Sequence, residues 1–142
     1  MKFTRLLLIL LSTLLFGNLS FAQDYYYSKY APFDESIPTP EEFLGYKIGE
    51  HHTRHDLIVS YLTKLAEISD KASIEVYGKT HEHRKLVMFT VSSTKHLTNL
   101  ETIKANHLKF VDPNQNPNNY DEVPIIIQLG YNVHGNEPSS SE

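Results

Sequence analysis

Two side chains near residue 135 have the types and the spacing of zinc ligands. His134 and Glu137 are three residues apart in the run Gly130-Tyr131-Asn132-Val133-His134-Gly135-Asn136-Glu137-Pro138. In a turn, or in the first turn of a helix, an imidazole and a carboxylate at this spacing can converge on one metal ion. The spacing alone also fits a structural turn, because a chain of this composition contains about 0.6 such pairs by chance. Both interpretations remain open on spacing alone.

The elements that precede the pair are those that position a site. Residues Val123–Leu129 (VPIIIQL) are nearly all apolar, which is typical of a strand covered on both faces in the middle of a mixed or parallel sheet. Open α/β sheets place their sites at the carboxyl ends of such strands. Gly130 and Gly135 allow tight turns there, and Pro138 fits the start of a helix.

Two amphipathic helices and a hairpin are predicted upstream of this strand. The first helix is expected to be capped by Thr53, and the second opens at Thr98 or Asn99 and ends near Phe110. Between them, two strands flank a polar turn from Gly78 to Lys85. Together these elements predict an α/β fold with a mixed, mostly parallel central sheet and helices on both faces, incomplete in this chain.

A second motif lies in the hairpin. Residues 78–86 (GKTHEHRKL) are similar to the hairpin signature of the M14 zinc carboxypeptidase family, roughly G-K-S/T-x-E-G-R followed by an apolar strand. His83 replaces the usual Gly of that signature, and Lys85 replaces the usual Pro. The run QLGYNVHGNEPSSSE also resembles the first zinc-binding motif of this family, and the order of elements agrees.

The resemblance implies a Zn²⁺-dependent carboxypeptidase that removes C-terminal amino acids from a peptide or protein substrate. His134 and Glu137 would be two zinc ligands. The third histidine, the glutamate general base and the substrate-binding arginines are expected downstream of Glu142. We therefore expect residues 51–142 to be the N-terminal part of a catalytic domain, inactive alone. The alternatives are a zinc amidase or deacylase of the same fold, and a secreted binding module without catalysis.

The other histidines have simpler explanations. We expect a solvated start of the first helix at His51, His52 and His55, and surface positions at His96 and His107. His81 and His83 could hold a metal if they lay on one side of a strand.

Residues 1–22 are typical of a secretory signal peptide. Lys2 and Arg5 precede the apolar run Leu6–Phe16, and small residues surround Phe21 at Ser20 and Ala22. The run is shorter than the roughly 18 residues of a membrane-spanning helix. We expect a secreted or periplasmic protein, without membrane attachment after cleavage, in which residues 23–50 form an extended arm with a short helix at Pro40–Leu44.

Composition limits the remaining function classes. The 142 residues are 40% hydrophobic and 21% charged, with a formal net charge of −4 and no Cys. This composition is that of a globular chain, and the mild acidity disfavours a general nucleic-acid binder, which needs a basic face. Without Cys, disulfides and thiol catalysis are excluded, and any metal must be bound by His and carboxylate side chains. The oligomeric state stays open.

Overall fold

The computed structural model describes residues 27–115, 123–131 and 133–134. The chain divides into two compact units, Met1–Glu35 and Ser36–Glu142. In the first unit, a short 3-10 helix spans Ser28–Tyr30, and the Lys29 ammonium lies 4.8 Å from the centre of the Tyr30 ring. The second unit contains the helices and strands described next. The predicted signal peptide lies outside the described residues.

Helix α1 spans Pro40–Leu44, as the sequence predicts. Thr39 accepts a hydrogen bond from the Glu42 amide, and the Glu42 carboxylate accepts one from the Thr39 amide at 2.7 Å. This reciprocal capping satisfies two donors that the first turn of a helix leaves unpaired. Gly45 ends α1 in the left-handed region at φ 81°, a conformation that glycine adopts without steric cost.

Helix α2 spans His55–Ile68. The prediction of a helix here is confirmed, but the predicted Thr53 cap is wrong: Arg54 is the N-cap residue, and its carbonyl accepts from the Leu57 and Ile58 amides. Thr53 is only 3% exposed, and its hydroxyl accepts a hydrogen bond from the Tyr46 hydroxyl at 3.0 Å. The side chain therefore makes a tertiary contact instead of capping the helix.

Helices α1 and α2 are joined through one aromatic side chain. The Tyr61 ring lies 5.3 Å from the Phe43 ring, and its hydroxyl donates to the Pro38 carbonyl at 2.9 Å. Burial raises the pKa of the Tyr61 hydroxyl, because the charged phenolate is disfavoured away from water.

The predicted hairpin is confirmed. Strands β1 (Ala72–Lys79) and β2 (Lys85–Val91) are antiparallel, and Ile74 pairs with Phe89. The register shifts between Val76 and Gly78, where a bulge interrupts the ladder. Helix α2 packs on both strands, which gives the amphipathic helix the apolar partner that its pattern requires.

Two helices follow the hairpin. The short α3 spans Thr94–Leu97 and was not expected from the sequence, whereas α4 spans Leu100–Val111 and matches the second predicted helix. The Ser93 hydroxyl caps α3 by accepting from the His96 amide. Thr94 donates to the Asp70 carboxylate at 2.8 Å, which ties α3 to the turn before β1.

The predicted mixed, mostly parallel central sheet is wrong. Among the described residues, the sheet has two strands, in the order β1-β2, and they are antiparallel. Residues 123–129 have no regular secondary structure and belong to neither strand, and Ile125 and Ile127 are 89% and 79% exposed. The apolar run has the composition of a buried strand, but a strand also needs a neighbour whose amides and carbonyls complete its ladder. Among the described residues, neither strand of the hairpin pairs with this segment.

The apolar side chains between helix α2 and the hairpin are incompletely buried. In the part of the chain that the structure describes, no hydrophobic side chain is fully buried. One helix laid on a two-stranded ribbon covers only one face of each element, so most apolar side chains stay half-exposed. Among these same residues, no helix has the length and apolar character that a membrane span needs.

Candidate metal-binding segment

The candidate metal ligands follow a segment that is mostly exposed. Residues 123–131 carry no regular secondary structure, and from Ile125 onward every side chain in this range is exposed. His134 lies in a bend three residues beyond this range and is exposed as well. Glu137 lies outside the described residues, so its distance to His134 is not part of the structure.

The start of this segment is held by helix α4. The imidazole Nε2 of His107 lies 2.8 Å from the Pro124 carbonyl oxygen. On the same helix, the His107 and Phe110 rings meet edge to face, with 6.3 Å between their centres. Residues 17 positions apart are thus brought into contact, ten positions before His134 in the sequence.

The surface positions expected for two histidines are wrong. His96 and His107 are both half-buried, and His96 Nδ1 lies 3.1 Å from the Ser92 hydroxyl. A signal for His107 was present in the sequence, because residue 107 is four positions after Ile103 and three before Phe110. This spacing places all three side chains on the inward face of one helix.

Two backbone hydrogen bonds and one left-handed residue define the hairpin turn. The Thr80 amide donates to the Arg84 carbonyl, and the His83 amide donates to the Thr80 carbonyl, both at 2.9 Å. His83 has φ 61°, in the left-handed region where glycine is the usual residue. In the family signature that residues 78–86 resemble, this position is a glycine.

The hairpin histidines lie outside the strands. Strand β1 ends at Lys79 and β2 begins at Lys85, so the alternation that would place His81 and His83 on one side of a strand does not apply. Glu82, between them, forms an ion pair with Arg84 at 2.8 Å. All four side chains are exposed.

The first histidine group lies around the start of α2. His51 and His52 are exposed, and His55 is the first residue of the helix and is half-buried. The His51 ring lies 5.0 Å from the Tyr46 ring, edge to face. Of this group, His51 thus contacts an aromatic side chain rather than only solvent.

Two acidic side chains, Asp56 and Asp112, accept hydrogen bonds from residues two or three positions away. Two hydrogen bonds from the Arg54 guanidinium, at 3.0 and 2.7 Å, lower the pKa of the Asp56 carboxyl. The Asn114 amide and the Gln115 side chain do the same for Asp112. Throughout ranges 27–115, 123–131 and 133–134, no three His, Asp or Glu side chains are grouped as a metal site would require.

Neither models of protein families, nor curated proteins, nor solved structures give a match to this chain.

Proposed function

We propose that this chain forms the first zinc-binding segment of a zinc metallocarboxypeptidase, with His134 and Glu137 as two of the metal ligands. The observation that carries the proposal is the backbone at His83. A glycine in a short sequence pattern often marks a position with positive φ, and the residue at that position here has φ 61°. The hairpin therefore supports the resemblance through its backbone conformation as well as through its residue types.

The residues at 134 and 137 suit zinc by their chemistry. Zinc in proteins is bound by imidazole nitrogen and carboxylate oxygen, and a catalytic site uses three protein ligands and keeps one position open. His134 would supply the imidazole nitrogen and Glu137 the carboxylate oxygen. When bound, zinc supplies a water of lowered pKa and polarises the substrate carbonyl. The part of this chain is to hold the metal, and the proposal requires a third ligand and a general base from residues beyond 142.

The zinc content of the protein tests the ligand assignment. The protein is produced from the full reading frame that contains this chain, and its metal content is measured by plasma mass spectrometry. We expect one zinc per chain, lost in His134→Ala and in Glu137→Ala. His81→Ala is the matched control, since His81 is also an exposed histidine and belongs to the alternative hairpin site. Zinc retained in His134→Ala, or lost in His81→Ala, would contradict the assignment.

The substrate class is tested on peptides that differ at one end. We expect release of the C-terminal amino acid from a peptide with a free carboxylate, no release from the matching peptide amide, and loss of activity with a chelator. Hydrolysis of acylated amines instead of peptides would favour the amidase or deacylase, and bound zinc without any hydrolysis would favour a binding module. Zinc-dependent release by residues 23–142 alone would contradict the need for downstream residues.

A further inference from the structure

The His107–Pro124 hydrogen bond has a fixed direction. A backbone carbonyl only accepts, so Nε2 of His107 carries the hydrogen and donates at 2.8 Å. The edge-to-face contact with Phe110 helps to orient the ring. The donor is therefore built into the inward face of helix α4, with an aromatic neighbour beside it.

Packing does little to fix the segment that receives this hydrogen bond. Pro124 is half-buried, but from Ile125 to Tyr131 the side chains are exposed, and Ile126 is 65% exposed. Apolar burial stabilises a contact roughly in proportion to the area removed from water, so these exposed side chains contribute little. The hydrogen bond from His107 to the Pro124 carbonyl is therefore the main contact that attaches the segment to helix α4.

We propose that His107 is a positioning residue: its hydrogen bond to the Pro124 carbonyl holds residues 123–131 at helix α4 and so sets where the His134 motif begins. The part of this inference that concerns the metal rests on the proposed function. The attachment itself does not, because it follows from a contact between described residues. The two parts are tested by separate measurements.

The attachment is tested by a distance between two spin labels. The chain has no Cys, so Lys104→Cys on α4 and Ile126→Cys in the segment, both exposed, give two defined labelling sites. His107→Gln keeps a side-chain N–H donor, and His107→Leu removes it. His96→Leu is the matched control, since His96 is another half-buried histidine with a hydrogen bond. We expect a narrow distance distribution in the parent, in His107→Gln and in His96→Leu, and a broad one in His107→Leu. A narrow distribution in His107→Leu, or a broad one in His107→Gln, would overturn the proposal.

The effect on the metal is measured as zinc affinity in the protein made from the full reading frame. We expect His107→Leu to weaken zinc binding roughly tenfold, the low end of the effect of removing a group bonded directly to a metal ligand, because His107 acts ten residues before His134. His107→Gln is expected to restore the affinity. An unchanged affinity in His107→Leu, with a broadened distance, would overturn the positioning role. If His134→Ala keeps its zinc, the proposed function fails, and the label distances still decide whether His107 holds the segment.

Discussion

Because His83 has a left-handed backbone, the difference in stability between a Gly and an Ala variant should have opposite signs at positions 83 and 81. His83 is the non-glycine residue with positive φ in the described part of the chain, whereas His81 lies in the same turn without a positive φ. Both side chains are exposed. Replacing each histidine by Gly and by Ala therefore changes the backbone preference with little change in packing.

The magnitudes follow from the conformations. A left-handed residue with a Cβ atom costs roughly 1–2 kcal/mol, which glycine avoids. Glycine in turn loses more conformational freedom on folding, by roughly 0.5–1 kcal/mol. At position 83 we expect Gly to be more stable than Ala by about 0.5–1 kcal/mol. At position 81 only the entropy difference acts, so Gly is expected to be less stable than Ala by a similar amount.

Hydrogen exchange of the ladder amides in β1 and β2 measures this difference locally. Changes of about 0.5–1 kcal/mol correspond to roughly twofold to fivefold changes in the equilibrium constant for opening, and therefore in the exchange rate. We expect slower exchange in His83→Gly than in His83→Ala, and faster exchange in His81→Gly than in His81→Ala. Equal exchange in the two variants at position 83, or the same sign at both positions, would refute the assigned turn conformation.

Two further predictions concern the start of α2. Tyr46→Phe removes only the oxygen that donates to the buried Thr53, so we expect a loss of about 1 kcal/mol in urea unfolding; unchanged unfolding would show that the hydrogen bond contributes nothing. Arg54→Gln should raise the Asp56 pKa toward its ordinary value in an NMR titration, because the guanidinium hydrogen bonds lower it. The folded-state pKa of Asp56 is the lowered one, so its stabilisation is complete above the unfolded-state pKa and is lost as the pH falls through the folded-state pKa. An unshifted titration in Arg54→Gln would contradict this account.

Contacts between residues close in sequence were predictable. Thr39, Pro40 and Glu42 carry the signature of a capped helix start, and α1 begins there. The apolar spacing from Leu57 to Ile68 gave α2, and the change to alternating apolar residues gave the hairpin. In each case the partners are at most a few turns or one hairpin apart, so the local pattern already contains both sides of the interaction.

The pairing of separate segments was not predictable from any one of them. Residues 123–129 have the composition of a buried strand, but strand formation depends on a neighbouring strand, which is a property of the whole fold. The same holds for Thr53. Its position in the sequence is typical of a helix cap, but its hydroxyl accepts a hydrogen bond from the Tyr46 hydroxyl seven residues earlier. The prediction of a mostly parallel sheet was wrong because a residue pattern indicates which secondary structure a segment favours, and not which other segment it pairs with.

The sequence by itself determined the types of the local elements and the identity of the candidate ligands, because helix periods, turn residues and His-x-x-Glu spacing are read within one segment. Only the tertiary structure decided the register of the hairpin, in which Ile74 pairs with Phe89. It also decided that His107 donates to Pro124. These features depend on where the chain returns in space, since each pairs a group with a partner that no local pattern specifies.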